Sequence, residues 1–246
     1  RMDIVLVQPI HMYIKQSIVM DEKSFLKLLQ SVDAFFPVGA FTLSNGLEDY
    51  VLCEIIKKEQ DLCNYLDSFL QVFAYNDLGL LSLAYRNAQN KKQLLLLDQL
   101  AGAMKSAKEI RTGSIRMCSR YIKAREAMGD QIKSLVWYKK QIQGKSALGF
   151  YPIALGIYAA ELKFSLQDFL LMYGYSVISA IVNNVVKLVP LSQLSGQRVL
   201  FGKFDELKNA AEKAIDVDFE MLGTSGCAFE IHCMNHEYLY SRQYMS

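Results

Sequence analysis

Apolar residues recur along most of this chain at steps of three and four, the spacing that lines one face of an α-helix. The clearest stripe lies between Asp61 and Asn90 and comprises Leu62, Tyr65, Leu66, Phe69, Leu70, Phe73, Leu80, Leu81, Ala84, Tyr85 and Ala88. Asp77 falls on this stripe, four residues after Phe73. Because a carboxylate on an apolar face needs a partner, the pattern predicts a buried, hydrogen-bonded Asp77 that fixes helix packing. A binding role for Asp77 is the alternative.

The same periodicity predicts further helices over residues 24–30, 44–56, 94–107, 108–128, 131–143 and 205–215. Pro152 is suited to open another helix. Ser165 and Asp168 resemble a capping box at the start of an apolar helix, which should end before Pro190. No segment alternates as a β-strand does.

These elements predict an all-α fold, a single globular domain of eight to ten helices around a central apolar helix. We place this domain at residues 24–234, between a flexible N-terminal arm at 1–23 and a partner-docking C-terminal tail at 235–246.

The central apolar segment also raises the question of a membrane span. Phe169 to Val186 is 18 residues long and carries no charge, which is the lower limit for crossing a bilayer. Adjacent amides at Asn183 and Asn184 would be costly in lipid, and central helices of large soluble domains also lack charge on all sides. The sequence therefore favours a buried helix of a soluble protein.

The amino-acid composition argues against some classes of function. Among 246 residues, 52% are hydrophobic, and 27 Lys and Arg stand against 25 Asp and Glu. This balance argues against a nucleic-acid surface, which needs a concentrated positive field. The five cysteines form no Cys-x-x-Cys pair, so a disulfide framework is not indicated and a reducing, cytoplasmic location is expected.

Gly144-Lys145-Ser146 resembles the end of a phosphate-binding loop, but two requirements of that motif are not met. Lys139 stands where the second glycine is required, and the preceding residues predict a helix instead of a strand. The chain has only three histidines, His11, His232 and His236, so a catalytic histidine would have to come from a terminal segment. We therefore expect no enzymatic activity and no nucleotide binding.

A metal site is the remaining chemical possibility. His232 and His236 are four residues apart, so a helix would place both on one face at a spacing that suits a metal ion. The alternative is a terminal helix whose histidines and nearby cysteines pack or form hydrogen bonds within the protein.

Three segments are candidates for contacts with a partner or for a structural role. The bend at Phe36, Pro37, Gly39 and Phe41 either packs on the core or presents an apolar surface. The polar segment with Gln193, Gly196, Gln197 and Arg198 either satisfies buried backbone groups or lines a polar path. The tail carries residue types enriched at interfaces, and its candidates are His236, Glu237, Tyr238, Tyr240, Ser241, Arg242 and Tyr244. Whether the tail folds onto its own domain or binds a partner is open.

Three motifs resemble those of the UreF family of urease accessory proteins. The first, at 36–48, is similar to the family pattern Phe-Pro-x-Gly-x-Phe-x-x-Ser-x-Gly-Leu-Glu. The second, at 189–198, is similar to Val-Pro-Leu-x-Gln-x-x-Gly-Gln-Arg, and the third, at 236–246, is similar to the family's C-terminus. The chain differs from the pattern at Ser192, Phe150 and Gln243-Tyr244, where members more often have Gly, His and Leu-Phe.

The resemblance implies an all-helical homodimer that works as a chaperone or scaffold without its own chemistry. Its implied partners are the accessory protein UreD (also called UreH), the GTPase UreG and apo-urease, with the tail docking on UreD. The implied function is maturation of urease by nickel insertion, in which metallocentre assembly depends on GTP. No cofactor is expected to be tightly bound, and nickel contact is expected to be transient. The alternative function is a small helical nickel metallochaperone that binds metal through its C-terminal His and Cys residues.

Overall fold

The computed structural model describes residues 21–40, 43–224 and 226–244. Its twelve α-helices in this range are α1 Glu22–Val32, α2 Leu47–Leu52, α3 Glu59–Phe73, α4 Asp77–Arg86, α5 Lys91–Met104, α6 Lys108–Ala127, α7 Lys133–Gln143, α8 Tyr151–Glu161, α9 Leu166–Leu188, α10 Gln193–Phe201, α11 Phe204–Asp216 and α12 Cys227–Asn235. A single 3₁₀ turn, His236–Tyr238, follows α12. No strand occurs in the described ranges, so the predicted all-α class is confirmed.

The long apolar helix α9 lies at the centre of the bundle, in contact with α11, α10, α4, α1 and α2. It is the one helix of the described residues whose length and composition would allow it to cross a membrane, and half of its most apolar window is buried inside the protein. Its polar groups have partners in this fold, since Ser176 donates to the carbonyl oxygen of Val32 and Asn184 donates to that of Leu43. The prediction of a central buried helix is therefore confirmed. As predicted, the Ser165 side chain accepts the backbone N–H of Asp168 at its start.

The stripe between residues 61 and 90 is divided between two helices, so its periodicity does not correspond to one continuous helix. α3 ends at Phe73, and Asn76 (φ −111°, ψ −109°) breaks the helical geometry before α4 begins at Asp77. Asp77 therefore occupies the first position of a helix, with its side chain 30% exposed instead of buried. It has the predicted partner, because the Lys105 ammonium donates to its carboxylate. Such breaks explain why the helices outnumber the eight to ten predicted.

The polar segment after α9 forms helix α10, which the sequence analysis did not predict. Ser192 caps it by accepting the Ser195 backbone N–H at 3.0 Å. Gly196 is buried, and a β-carbon there would lie 2.8 Å from Val186 Cγ2, so the glycine permits close packing of α10 on α9.

The polar side chains of this segment point away from the core. Gln193, Gln197 and Arg198 are exposed, and Arg198 pairs with Glu59 at 2.9 Å. Exposure rules out the expectation that these side chains satisfy buried backbone groups. A polar path along the surface stays a prediction.

Candidate functional site

A tight turn places the short helix α2 against α12. Gly46 has φ +82°, a left-handed conformation that favours glycine. A β-carbon on Gly46 would lie 2.8 Å from the Cys233 backbone nitrogen, so only glycine lets α12 approach this closely. A second positive φ, +59° at Glu54, follows α2. These two backbone conformations limit α2 to Leu47–Leu52, whereas a helix over 44–56 was predicted.

The turn projects Glu48 into a buried cluster with His236 and Glu109. His236 is completely buried. Its Nε2 lies 2.8 Å from a Glu48 carboxylate oxygen, and its Nδ1 lies 2.7 Å from a Glu109 carboxylate oxygen. Both ring nitrogens of His236 are therefore within hydrogen-bond distance of a carboxylate.

The same two carboxylates hold the residues that follow. Arg242 donates to the other Glu109 oxygen at 2.8 Å. The backbone N–H groups of Gln243 and Tyr244 donate to Glu48 at 2.7 and 3.1 Å. Glu48, Glu109, His236 and Arg242, called the tail cluster here, thus pair two carboxylates with an imidazole and a guanidinium. His236 is buried at the centre of the cluster, and Arg242 lies at its edge with a side chain that is 40% exposed.

The C-terminal segment is therefore attached to its own domain at two points, His236 and the stretch 242–244. Of the two alternatives left open for the tail, the structure shows residues 236–244 folded onto their own domain. Binding of a partner to this segment stays a prediction. Met245 and Ser246 lie outside the described residues.

Between its two attachment points the segment presents aromatic side chains to solvent. Tyr238 and Tyr240 are 83% and 107% exposed. Ile231 and Met234 on α12 are also exposed, at 55% and 41%, and with Tyr238 they follow the i, i+3, i+7 spacing of one helical face. Glu237 pairs with Lys108 at 2.6 Å, Ser241 is exposed, and Tyr244 is half-buried. Burial and the Glu48 carboxylate raise the pKa of Tyr244.

The predicted metal pair of His232 and His236 does not form. Both nitrogens of His236 face carboxylates of the tail cluster. His232 instead places its Nδ1 2.6 Å from an Asp49 carboxylate oxygen. The helix that was to carry both histidines ends at Asn235, so the two side chains enter different surroundings.

The Pro/Gly bend divides its aromatic residues between core and surface. Phe36 is buried, with its ring centroid 4.9 Å from the Arg125 guanidinium carbon. A role for Phe36 in contacting a partner is thus contradicted by its burial. Pro37 is exposed, and Gly39 takes a φ of +83°. The exposed aromatic side chain of the bend is Phe35, at 94%, while Phe41 lies outside the described residues.

An apolar groove of about 260 Å³ lies beside the bend and the C-terminal segment. Its lining includes Ala40, Phe69, Val177 and, from α12, Phe229. Phe229 makes an edge-on contact with the ring of Tyr65 at 5.2 Å, which holds α12 on the body of the domain. One side of α12 thus faces this groove, while its other side carries the exposed side chains of Ile231 and Met234.

Gly144-Lys145-Ser146 has the opposite geometry to a phosphate-binding loop. The segment follows the C-terminus of α7, and the Gly144 N–H donates to the Lys140 carbonyl oxygen at 2.9 Å. Carbonyl oxygens are the unpaired groups at this end of a helix, whereas phosphates are bound at N-termini.

The sequence analysis did not identify Glu48, Glu109, Asp49 or Cys53 as functional residues. Glu48 and Asp49 are both buried, each at 5% exposure. Two features of the sequence could have pointed to these residues. Glu48 and Glu109 each lie in the first turn of a helix, where carboxylates are favoured. Asp49 and Cys53 are four residues apart, as His232 and His236 are.

Comparison with known proteins agrees with the three motifs. The UreF family model matches residues 56–202. A Haemophilus influenzae (strain PittGG) protein named urease accessory protein UreF is 36% identical over 222 residues, covering 89% of this chain and 94% of the relative. Proteins of the same name from Actinobacillus pleuropneumoniae serotype 5b and Sporosarcina pasteurii are 35% and 30% identical, over 89% and 81% of this chain and 97% and 100% of the relatives.

Proposed function

The chain belongs to the UreF family of urease accessory proteins, and we propose that it acts as a scaffold that bridges UreD/UreH and the GTPase UreG during nickel insertion into apo-urease. In this proposal the chain is not an enzyme: GTP hydrolysis belongs to UreG, and nickel is the cargo delivered to urease in the cytoplasm. The chain contributes surfaces that hold the other components together.

The single observation that best supports this proposal is the arrangement of the C-terminal segment. Its exposed stripe, Ile231, Met234, Tyr238 and Tyr240, is apolar and aromatic, which is unusual for a surface that stays in water. Tyr is among the residue types that dominate binding energy at interfaces. The stripe therefore suits docking of the UreD partner.

Attachment of the segment by the tail cluster changes the energetics expected for docking. A mobile tail would lose conformational entropy when it binds. Here Glu48 and Glu109 already hold His236 and Arg242, so much of that cost is met within the free chain. In this proposal Arg242 acts by fixing the segment, and the neighbouring tyrosines make the contact.

A nickel metallochaperone is the alternative function. It relied on His232 and His236 as a ligand pair, and both nitrogens of His236 are committed to carboxylates. The exposed stripe favours the scaffold over this alternative. Equilibrium dialysis of the isolated chain and of a His236→Gln variant against nickel separates the two, since a metallochaperone of this kind must retain the metal through His236 without partners.

The docking surface is tested by capture of the UreD partner on an immobilised chain. Tyr238→Ala with Tyr240→Ala removes two exposed rings without disturbing the tail cluster, so binding should weaken by about 2 kcal/mol or more while helicity stays unchanged. Phe35→Ala removes a ring of similar exposure from the bend and is the matched control. Equal capture by the tyrosine variant and the unaltered chain would refute docking at this face.

A further inference from the structure

Three side chains of different chemistry converge where α2 meets α12. Asp49 comes from the first turn of α2, Cys53 is the residue directly after α2, and His232 comes from α12. One ligand atom from each, a carboxylate oxygen, the Sγ and a ring nitrogen, all lie within 4.8 Å of one another. We propose that Asp49, Cys53 and His232 form a binding site for a divalent first-row transition metal ion such as Zn²⁺, Co²⁺ or Ni²⁺.

Asp49 is the fixed centre of this site. Its side chain is only 7% exposed. One carboxylate oxygen lies 2.6 Å from His232 Nδ1 and also accepts from the Asn235 amide at 3.2 Å. The other oxygen faces Cys53 Sγ at 3.9 Å. The carboxylate thus already points toward both of the other ligand side chains.

The positions of the ligands on their helices suit a shared metal. Asp49 and Cys53 are four residues apart, so one helical face carries both. The His232 ring is held by Tyr50, whose ring centroid is 3.7 Å away. Ligand atoms bound at 2.0–2.3 Å to one tetrahedral ion lie about 3.3–3.8 Å apart. Side-chain movements of about an ångström would bring the present atoms to that spacing.

The ligand types select the class of ion. A thiolate and an imidazole suit zinc, cobalt and nickel, whereas Ca²⁺ and Mg²⁺ require shells of oxygen ligands. Cys53 is exposed, so solvent can reach the ion and supply a further ligand. Three protein ligands with an accessible fourth position are typical of sites that exchange ligands, and four protein ligands are typical of closed structural sites.

The other cysteine near this point is less suited to bind the metal. Cys233 Sγ donates to the Asn45 carbonyl oxygen at 3.3 Å. Cys53 Sγ instead lies 3.9 Å from an Asp49 carboxylate oxygen. Cys53 is therefore the expected sulfur ligand.

Binding requires displacement of protons. Cys53 loses its thiol proton as the sulfur–metal bond forms, and a His232 ring nitrogen presents its lone pair. The displaced proton passes to solvent, so affinity should rise with pH. This inference does not depend on the proposed scaffold function, because it concerns the isolated chain.

The test is a Co²⁺ titration of the reduced full-length chain under anaerobic conditions, followed by thiolate-to-cobalt charge-transfer absorption. We expect saturation at one cobalt per chain. Cys53→Ser should abolish the charge-transfer absorption, and His232→Gln should weaken binding about tenfold or more. Cys233→Ser and Cys63→Ser are matched controls that should retain the signal.

A thermal-unfolding measurement with Zn²⁺ gives a second readout that does not depend on absorption. Zinc should raise the melting temperature of the unaltered chain and of Cys233→Ser, but not that of Cys53→Ser. Absence of saturable cobalt binding would overturn the proposal. So would a charge-transfer signal that survives in Cys53→Ser or disappears in Cys233→Ser.

Discussion

At the scale of single residues, the buried charge of Arg125 shows how its neighbours stabilise an ion inside the domain. The Arg125 guanidinium is almost completely buried between the rings of Phe36, Tyr121 and Tyr158. It donates to the Lys27 carbonyl oxygen at 2.8 Å and lies 3.5 Å from Asp130. A charge in this setting fixes the position of the bend that follows α1, because moving it would leave the guanidinium unpaired.

Asp130 should make stability depend on pH. Burial raises its pKa, but the hydrogen bonds from Lys27 and Tyr158 and the charges of Lys27 and Arg125 outweigh burial, so the net pKa is lowered. A lowered folded-state pKa contributes stability above the unfolded value of about 3.9, and this contribution is lost as pH falls through the folded value.

Urea unfolding of the chain and of Asp130→Asn at a series of pH values checks this prediction. The unaltered chain should be the more stable near neutral pH, and its advantage should shrink as the pH falls below about 4. A constant difference across the series would show that Asp130 does not carry the effect.

Asp77 stabilises the fold through its ion pair with Lys105. Its partner Lys105 is 8% exposed, so removal of the carboxylate leaves a nearly buried ammonium without its ion pair. We expect Asp77→Ala to lower the free energy of unfolding by about 1–3 kcal/mol. Chemical denaturation measures the change, and Glu54→Ala, which breaks an exposed ion pair with Lys57, is the control. Equal stability of Asp77→Ala and the unaltered chain would contradict the prediction.

At the scale of helices, Gly46 determines how closely α12 approaches α2, and so the geometry of the tail cluster and of the proposed metal site. Gly46→Ala combines two costs: an unfavourable φ of +82° and a contact of 2.8 Å with the Cys233 backbone. Gly129 has φ +74° but no atom within 4 Å of an added β-carbon. Gly129→Ala therefore measures the cost of φ alone.

We expect Gly46→Ala to lower the unfolding free energy by more than Gly129→Ala, which should cost about 1 kcal/mol. The extra loss reflects displacement of α12, so only Gly46→Ala should also make the C-terminal segment sensitive to limited proteolysis. Equal losses in the two variants would mean that α12 accommodates the added methyl group.

Helical periodicity predicted the elements well where an apolar stripe is continuous, as in α6 and α9. It failed where local backbone geometry decides. The break at Asn76 leaves no trace in the stripe between residues 61 and 90. The positive φ at Glu54, which interrupts the helix predicted over 44–56, is likewise not visible in the periodicity. The tail cluster was beyond sequence reasoning for another reason: it joins Glu48, Glu109 and His236, which are far apart along the chain and meet only in the folded domain.

At the scale of the whole molecule, a second exposed aromatic surface is formed by residues that are distant in sequence from the C-terminal segment. Phe201 and Leu194 of α10 are 74% and 66% exposed, and Phe204 and Tyr175 are 42% and 46% exposed. The rings of Phe201 and Phe204 are 5.4 Å apart. A contiguous apolar surface of this kind suits self-association, and two-fold dimers are the commonest assemblies.

We therefore predict a homodimer that uses this surface. Phe201→Asp should shift the mass measured by light scattering at micromolar concentration from dimer to monomer, because a buried unpaired carboxylate opposes association. Phe35→Asp introduces the same charge at another exposed ring and should leave the dimer intact. A monomeric unaltered chain, or a Phe201→Asp variant that remains dimeric, would contradict the prediction.

The proposed scaffold function requires that this chain join UreD and UreG into one assembly. The most direct measurement is size-exclusion chromatography with light scattering on mixtures of the three purified proteins, with GTP present. We predict that UreD and UreG elute separately when mixed alone and elute together, with the chain, when it is added. Formation of the same complex by UreD and UreG without the chain would refute the scaffold function, as would displacement of either protein from the chain by the other.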